Sequence, residues 1–165
     1  MAKKSKSKGA NDSIKVRGFF RLKIMEDGKC VGDTGWKENQ VTNDGFDQYI
    51  CRSIGGIAGS KQVTYGIIGT GTAPAATDTT LDGELTDVAA MRCAVTPSTI
   101  QSKTVQFAFT LSSNVCTAAH TIRNVALINH SSTATAATIL CGNTFTTSNL
   151  ATNQSINGSY QLRFQ

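Results

Sequence analysis

The sequence is poor in most of what enzymes, metalloproteins and secreted scaffolds require. It has two histidines, His120 and His130, and no Gly-x-Ser-x-Gly elbow, so neither a histidine-rich metal centre nor a serine-hydrolase nucleophile is specified. Its five cysteines, Cys30, Cys51, Cys93, Cys116 and Cys141, are odd in number, widely spaced and without a C-x-x-C pair. That argues against both a disulfide framework and a zinc site, and they read as small buried hydrophobes. No apolar run reaches the roughly 18 residues of a membrane helix, and "MAKKSKSKGAND" has no apolar signal core, so the expectation is synthesis in the cytoplasm. Four N-x-S sequons then count as accidents of composition. Only two prolines occur, Pro74 and Pro97, and charged residues make up only 16%.

What replaces charge is Thr, Ser, Asn and Gly, a composition that suits strands and turns. Residues 14–25, "IKVRGFFRLKIM", place Ile14, Val16, Phe20, Leu22 and Ile24 on one parity and Lys15, Arg17, Phe19, Arg21 and Lys23 on the other. That alternation is a half-buried strand. Its basic side reads as protection against edge-to-edge pairing. Glu26-Asp27-Gly28-Lys29 turns the chain and "KCVG" returns as a hairpin partner. Further strands are expected in residues 63–69, "AMRCAVT", "KTVQFAFTL", "HTIRNVALINH", "ATILCGNTF" and "SINGSYQLRFQ". The last runs to the C-terminus and has to be tied into a sheet, of its own subunit or a neighbour's.

One helix is expected near residues 44–58. Asn43 or Asp44 serves as N-cap, Phe46, Tyr49, Ile50, Ile54 and Ile57 form an apolar stripe, and Gly55, Gly56 and Gly59 end it. Many short strands with polar turns predict a mainly β protein, a jelly-roll-like β-sandwich with this one short amphipathic helix. The domain is expected to span 14–165, with a flexible basic N-terminal arm over 1–13. Eight basic and three acidic residues precede Gly28, so the whole net charge of +5 lies in the first 27 residues. Lys3, Lys4, Lys6 and Lys8 make the arm an electrostatic tether to nucleic acid or to an acidic protein surface, or else a solubilising tail.

The stretch "TYGIIGTGTAPAATDTTLDGEL", residues 64–85, resembles a phosphate-binding loop until its spacing is tested. A P-loop needs a lysine after its second glycine, and Thr72-Ala73-Pro74 follows Gly71 instead; a dinucleotide fingerprint needs a third glycine where Pro74 stands. The stretch therefore reads as a strand followed by a long ordered connection, whose small residues let the backbone lie close to a neighbour. Asp78, Asp82, Glu84 and Asp87 lack calcium-loop spacing and read as a solvated acidic loop. No catalytic, cofactor or metal site is expected. Trp36, Tyr65 and Tyr160 are the candidate stacking platforms for a glycan.

"DTGWKENQVTNDGFDQYI", "TYGIIGTGTAPAATDTTLDGEL" and "TIRNVALINHSS…GNTFTTSNLATNQSINGSYQLRF" resemble small virion structural proteins of tailed bacteriophages. The pattern of that group is a helix start, an I-G-T-G-T-x-A-P-x-x-x-D-T-x-L loop, which residues 68–81 match with one residue fewer before A-P, and a closing aromatic strand. It covers Asp33 to the C-terminus and leaves the arm outside; Ser159-Tyr160 departs from the Thr-Tyr usual at the close. The resemblance implies a non-enzymatic, β-rich, many-copy component of the virion. The leading expectation is a capsid decoration or cement protein in contact with copies of itself and with the major capsid protein. The alternatives are a tail, neck or fibre-attachment subunit, a glycan-binding module, and a nucleic-acid binder acting through the arm.

Overall fold

The computed structural model describes residues 13–87, 91–132 and 137–165. Ten strands order it. β1 (Val16–Glu26) forms a hairpin with β2 (Lys29–Asp33) across a turn in which Asp27 and Gly28 both take positive φ, the two-residue geometry that Asp-Gly favours. β3 (Lys37–Val41) follows, then a helical segment, a π-helix over Gly45–Cys51 continued by one α-turn over Arg52–Ile54. β4 (Tyr65–Gly69), β5 (Cys93–Ala94), β6 (Thr96–Gln101), β7 (Thr104–Leu111), β8 (His120–Ile128), β9 (Ile139–Leu150) and β10 (Ser155–Phe164) complete the body.

These strands form a nearly closed antiparallel sheet in the order β5-β4-β8-β9-β3-β1-β10-β7-β6, with β2 paired to the outer half of β1. Two corners close it. β3 pairs with β1 through Lys37–Asn39 and with β9 through Gln40 and Val41. At the other corner only Val95 separates β5, beside β4, from β6, beside β7, and the Val95 amide donates to the Thr64 carbonyl at 2.9 Å. Strands that change partners at a corner in this way wrap one sheet around one core. β3 and β6 escape the periodicity test for the same reason. "KENQV" is mostly exposed and every residue of "TPSTIQ" is exposed, so their strand character comes from neighbours and not from an apolar face.

The core lies inside the wrap. Phe20, Leu22 and Ile24 of β1 are buried with Phe109 and Leu111 of β7, Ile122, Val125 and Leu127 of β8, Phe145 and Leu150 of β9, and Ile156 and Tyr160 of β10. Phe20 stacks on Tyr160 with ring centroids 6.4 Å apart. Gly66 and Gly158 sit under the Phe109 ring, where an added Cβ would come within 2.5 Å and 2.2 Å of ring carbons. The alternation expected in β1, β7 and β10 is therefore present, except that Ile14 precedes β1 and is 81% exposed.

Several expectations change. β1 is not an edge strand, since β10 pairs along one side and β2 and β3 along the other. Its arginines are instead held by fork-shaped ion pairs, Arg17 with Glu38 and Arg21 with Asp33, and Arg163 lies 4.3 Å over the Phe19 ring. β10 is central, between β1 and β7 of its own chain. The cysteines divide: Cys93, Cys116 and Cys141 are buried, whereas Cys30 and Cys51 are exposed. Lys3, Lys4, Lys6 and Lys8 lie outside the described residues.

Candidate functional site

The glycine-rich connection is a strap. After β4 the backbone doubles back, with Thr70 N–H donating to Gly83 O at 2.9 Å and Leu85 N–H to Ile68 O at 3.0 Å. Cβ atoms at Gly69, Gly71 or Gly83 would strike Asn124, Asp82 or Thr70, so the small residues here allow close approach of backbone to backbone. The Asp82 carboxylate accepts the Thr72 amide at 2.9 Å and its hydroxyl at 3.1 Å; the amide bond above all lowers its pKa. The buried Asn124 side chain donates to the carbonyls of Thr72 and Asp82. Leu81 and Ala137 then cover Ile67, Ala126, Ile128 and Ile139, the outer face of β4, β8 and β9.

The four acidic residues of this region do not converge. Asp78 accepts the Ala75 amide at 2.8 Å, Asp82 holds Thr72, and Asp87 pairs with His120 at 2.6 Å. Glu84 is not solvated as the sequence suggests; it is paired with Arg92 at 2.6 Å, both side chains under 10% exposed. Among the described residues no group of three or more His, Cys, Asp or Glu side chains is placed to hold a metal ion.

The glycan candidates are not brought together either. Tyr160 is fully buried in the core, which removes it as a stacking platform, and Tyr65 is partly buried against the outer cluster beneath the strap. Trp36, between β2 and β3, is 41% exposed.

A different feature stands out, a groove of about 400 Å³. One wall is the helical segment with Tyr49, Ile50, Ser53 and Ile54; the chain that follows adds Lys61, Gln62 and Val63. The floor and far wall are Leu140 of β9, Phe107 of β7, Leu162 and Phe164 of β10, and Pro97 of β6. The local sequence explains how the helical wall is fixed. Thr42 uses its amide to reach Leu140 O, its hydroxyl to donate to Ile139 O, and the same oxygen to accept the Gly45 amide at 2.9 Å. Gly45 lies on the β9 backbone, where a Cβ would meet Leu140 O at 2.1 Å. Tyr49 donates its hydroxyl to the Thr138 carbonyl, and burial raises its pKa. Lys61 donates to the Thr138 hydroxyl at 2.8 Å, with its pKa lowered by desolvation.

The π winding also corrects the expected apolar stripe. The wider i→i+5 turn over Gly45–Cys51 changes which of its side chains face the sheet, and the helix stops at Ile54, so Ile57 lies past its end. Tyr49 is buried and Ile50 packs on the core, but Phe46, Ile54 and Ile57 are 41%, 79% and 54% exposed. Asp44 makes no side-chain capping bond; the Thr42 hydroxyl satisfies the Gly45 amide instead. The groove was not foreseen. Ile54 and Ile57 were the available signal, apolar residues beside a glycine-rich helix end.

No known protein family, curated protein or solved structure matches the chain.

Proposed function

We propose that the chain is a non-enzymatic structural subunit of a bacteriophage virion, a capsid decoration or cement protein that stabilises the shell through contacts between subunits. Its partners in this reading are further copies of itself and the major capsid protein, and its body is a sandwich of the jelly-roll-like kind. The observation that carries the reading is the apolar groove with Ile54, 79% exposed, in its wall, a surface of the sort that marks a protein–protein contact. The resemblance supplies the class. The I-G-T-G-T-A-P-A-A-T-D-T-T-L stretch that carries it supports the same reading, because its glycines and Leu81, with the Asp82 that follows, are spent on building the body.

The test is reconstitution. Purified chain is added to phage particles assembled without it, and bound copies and the temperature of genome release are measured. Saturable binding with a raised release temperature is expected. Particles that bind none of it, or bind it with no change in release, overturn the decoration reading.

A further inference from the structure

We propose that the groove is filled by a second copy of this chain, in a two-fold contact in which each copy's Ile54 covers the other's groove. The inference rests on the reading of the chain as an assembling subunit and names the partner of that surface. Of the seven large apolar side chains exposed among the described residues, Phe46, Ile54 and Ile57 fall within twelve consecutive positions. Of these three, Ile54 is 79% exposed at a groove of the same chemistry, which it walls together with Tyr49 and Ile50. A projection and a recess side by side on one molecule are satisfied together by a two-fold axis passing between them, since each surface then meets its own complement.

Charge selects this occupant. The helical segment carries the acidic Asp47 in its first turn and the basic Arg52 in its last. Asp47 and Arg52 are linked within one copy at 3.1 Å and remain 58% and 39% exposed. An antiparallel meeting of two such segments puts the acidic start of each against the basic end of the other. The lysine-rich stretch 1–12 of the chain, by contrast, brings no apolar side chain except Met1 and two alanines, and it would bring positive charge toward Arg52 and Lys61. Complementary charges set the register and orientation of such a contact, while the buried apolar residues hold it.

The experiment uses the full chain in solution without particles, so that its failure is separable from failure to decorate a shell. Sedimentation equilibrium is run over about 1–200 μM on the wild type, on Ile54→Glu, on Asp47→Arg and on Arg52→Asp. The wild type is expected to dimerise in that range, and each variant to weaken the dimer by about tenfold or more. An equimolar mixture of Asp47→Arg and Arg52→Asp is expected to recover dimerisation as a heterodimer, because each new charge then faces its opposite; that recovery also shows that both variants are folded. A wild type that stays monomeric overturns the proposal. So does a dimer indifferent to all three substitutions, or a mixture that fails to recover. A monomer that nevertheless binds particles, and loses that binding with Ile54→Glu, would assign the groove to the shell protein instead.

Discussion

Arg92→Met is expected to be the most damaging single substitution in the strap. The Arg92 Nε and Nη2 donate to the two Glu84 oxygens at 2.6 and 2.9 Å, and Nη1 donates to the carbonyls of His130 and Ser132. The two side chains are only 6% and 9% exposed. Methionine keeps much of the packing volume and removes every donor, which strands a carboxylate away from water. Breaking a buried pair from one side costs about 3–5 kcal/mol. The two carbonyls add less, because His130 and Ser132 are themselves partly or fully exposed and regain water. In a domain of this size each kcal/mol moves the midpoint by roughly 2–4 °C, so a fall of about 6–20 °C is expected. Urea titration should show the loss in midpoint with the slope unchanged. Adding Glu84→Leu to Arg92→Met should recover at least half of the loss, since an apolar pair of similar volume is often neutral or better. Arg92→Met within about 0.5 kcal/mol of wild type, or a double variant worse than the single, would refute the reasoning.

Three further substitutions test the core and the surface. Gly66→Ala drives a methyl into the Phe109 ring and should cost about 1–3 kcal/mol in the same titration; an unchanged midpoint would mean that the ring does not lie there. The Tyr160 hydroxyl is buried beside Cys141 without an oxygen or nitrogen partner among the described residues, so Tyr160→Phe should be neutral or stabilising by up to about 1 kcal/mol. A loss above about 2 kcal/mol would reveal a missing partner. Asp33 is held at about 2 by its hydrogen bonds with Arg21 first and the Gly35 amide second. A lowered carboxylate stabilises above its unfolded value near 3.9 and loses that contribution as pH falls through about 2. Between pH 4 and pH 2 the wild type should therefore lose more stability than Asp33→Asn, by under about 1 kcal/mol because the pair is partly exposed; parallel acid-unfolding profiles would contradict this.

What was legible in the sequence was whatever depends on alternation and turns. Phe20, Leu22 and Ile24, then Phe107, Phe109 and Leu111, then Tyr160 and Leu162 repeat every second residue because one side of each strand faces the core, and Asp27-Gly28 sets its hairpin. Alternation is lost in Val125-Ala126-Leu127-Ile128 because the strap covers the outer face of β8, so both sides are apolar. β3 and β6 were invisible because corner strands owe their pairing to distant segments. The helix was legible as a helix but not in its winding or its end; a 3.6-residue period assigned Ile54 and Ile57 to the core, whereas the helix turns π over Gly45–Cys51 and stops at Ile54, leaving Ile57 beyond it. Glu84 was misread for a related reason, since nothing near it in sequence announces Arg92 as a buried partner. The groove draws its walls from residues 49 to 164, a juxtaposition that no local pattern encodes.

Purified virions offer the most direct test of the structural reading. Copies of the chain are counted against the major capsid protein by quantitative mass spectrometry. The decoration account predicts a ratio near one, or a simple fraction such as about a third, as the symmetry of a shell lattice requires. A ratio of a few per cent would contradict it and move the subunit to the tail or neck, and absence from the particle would contradict the structural reading as a whole.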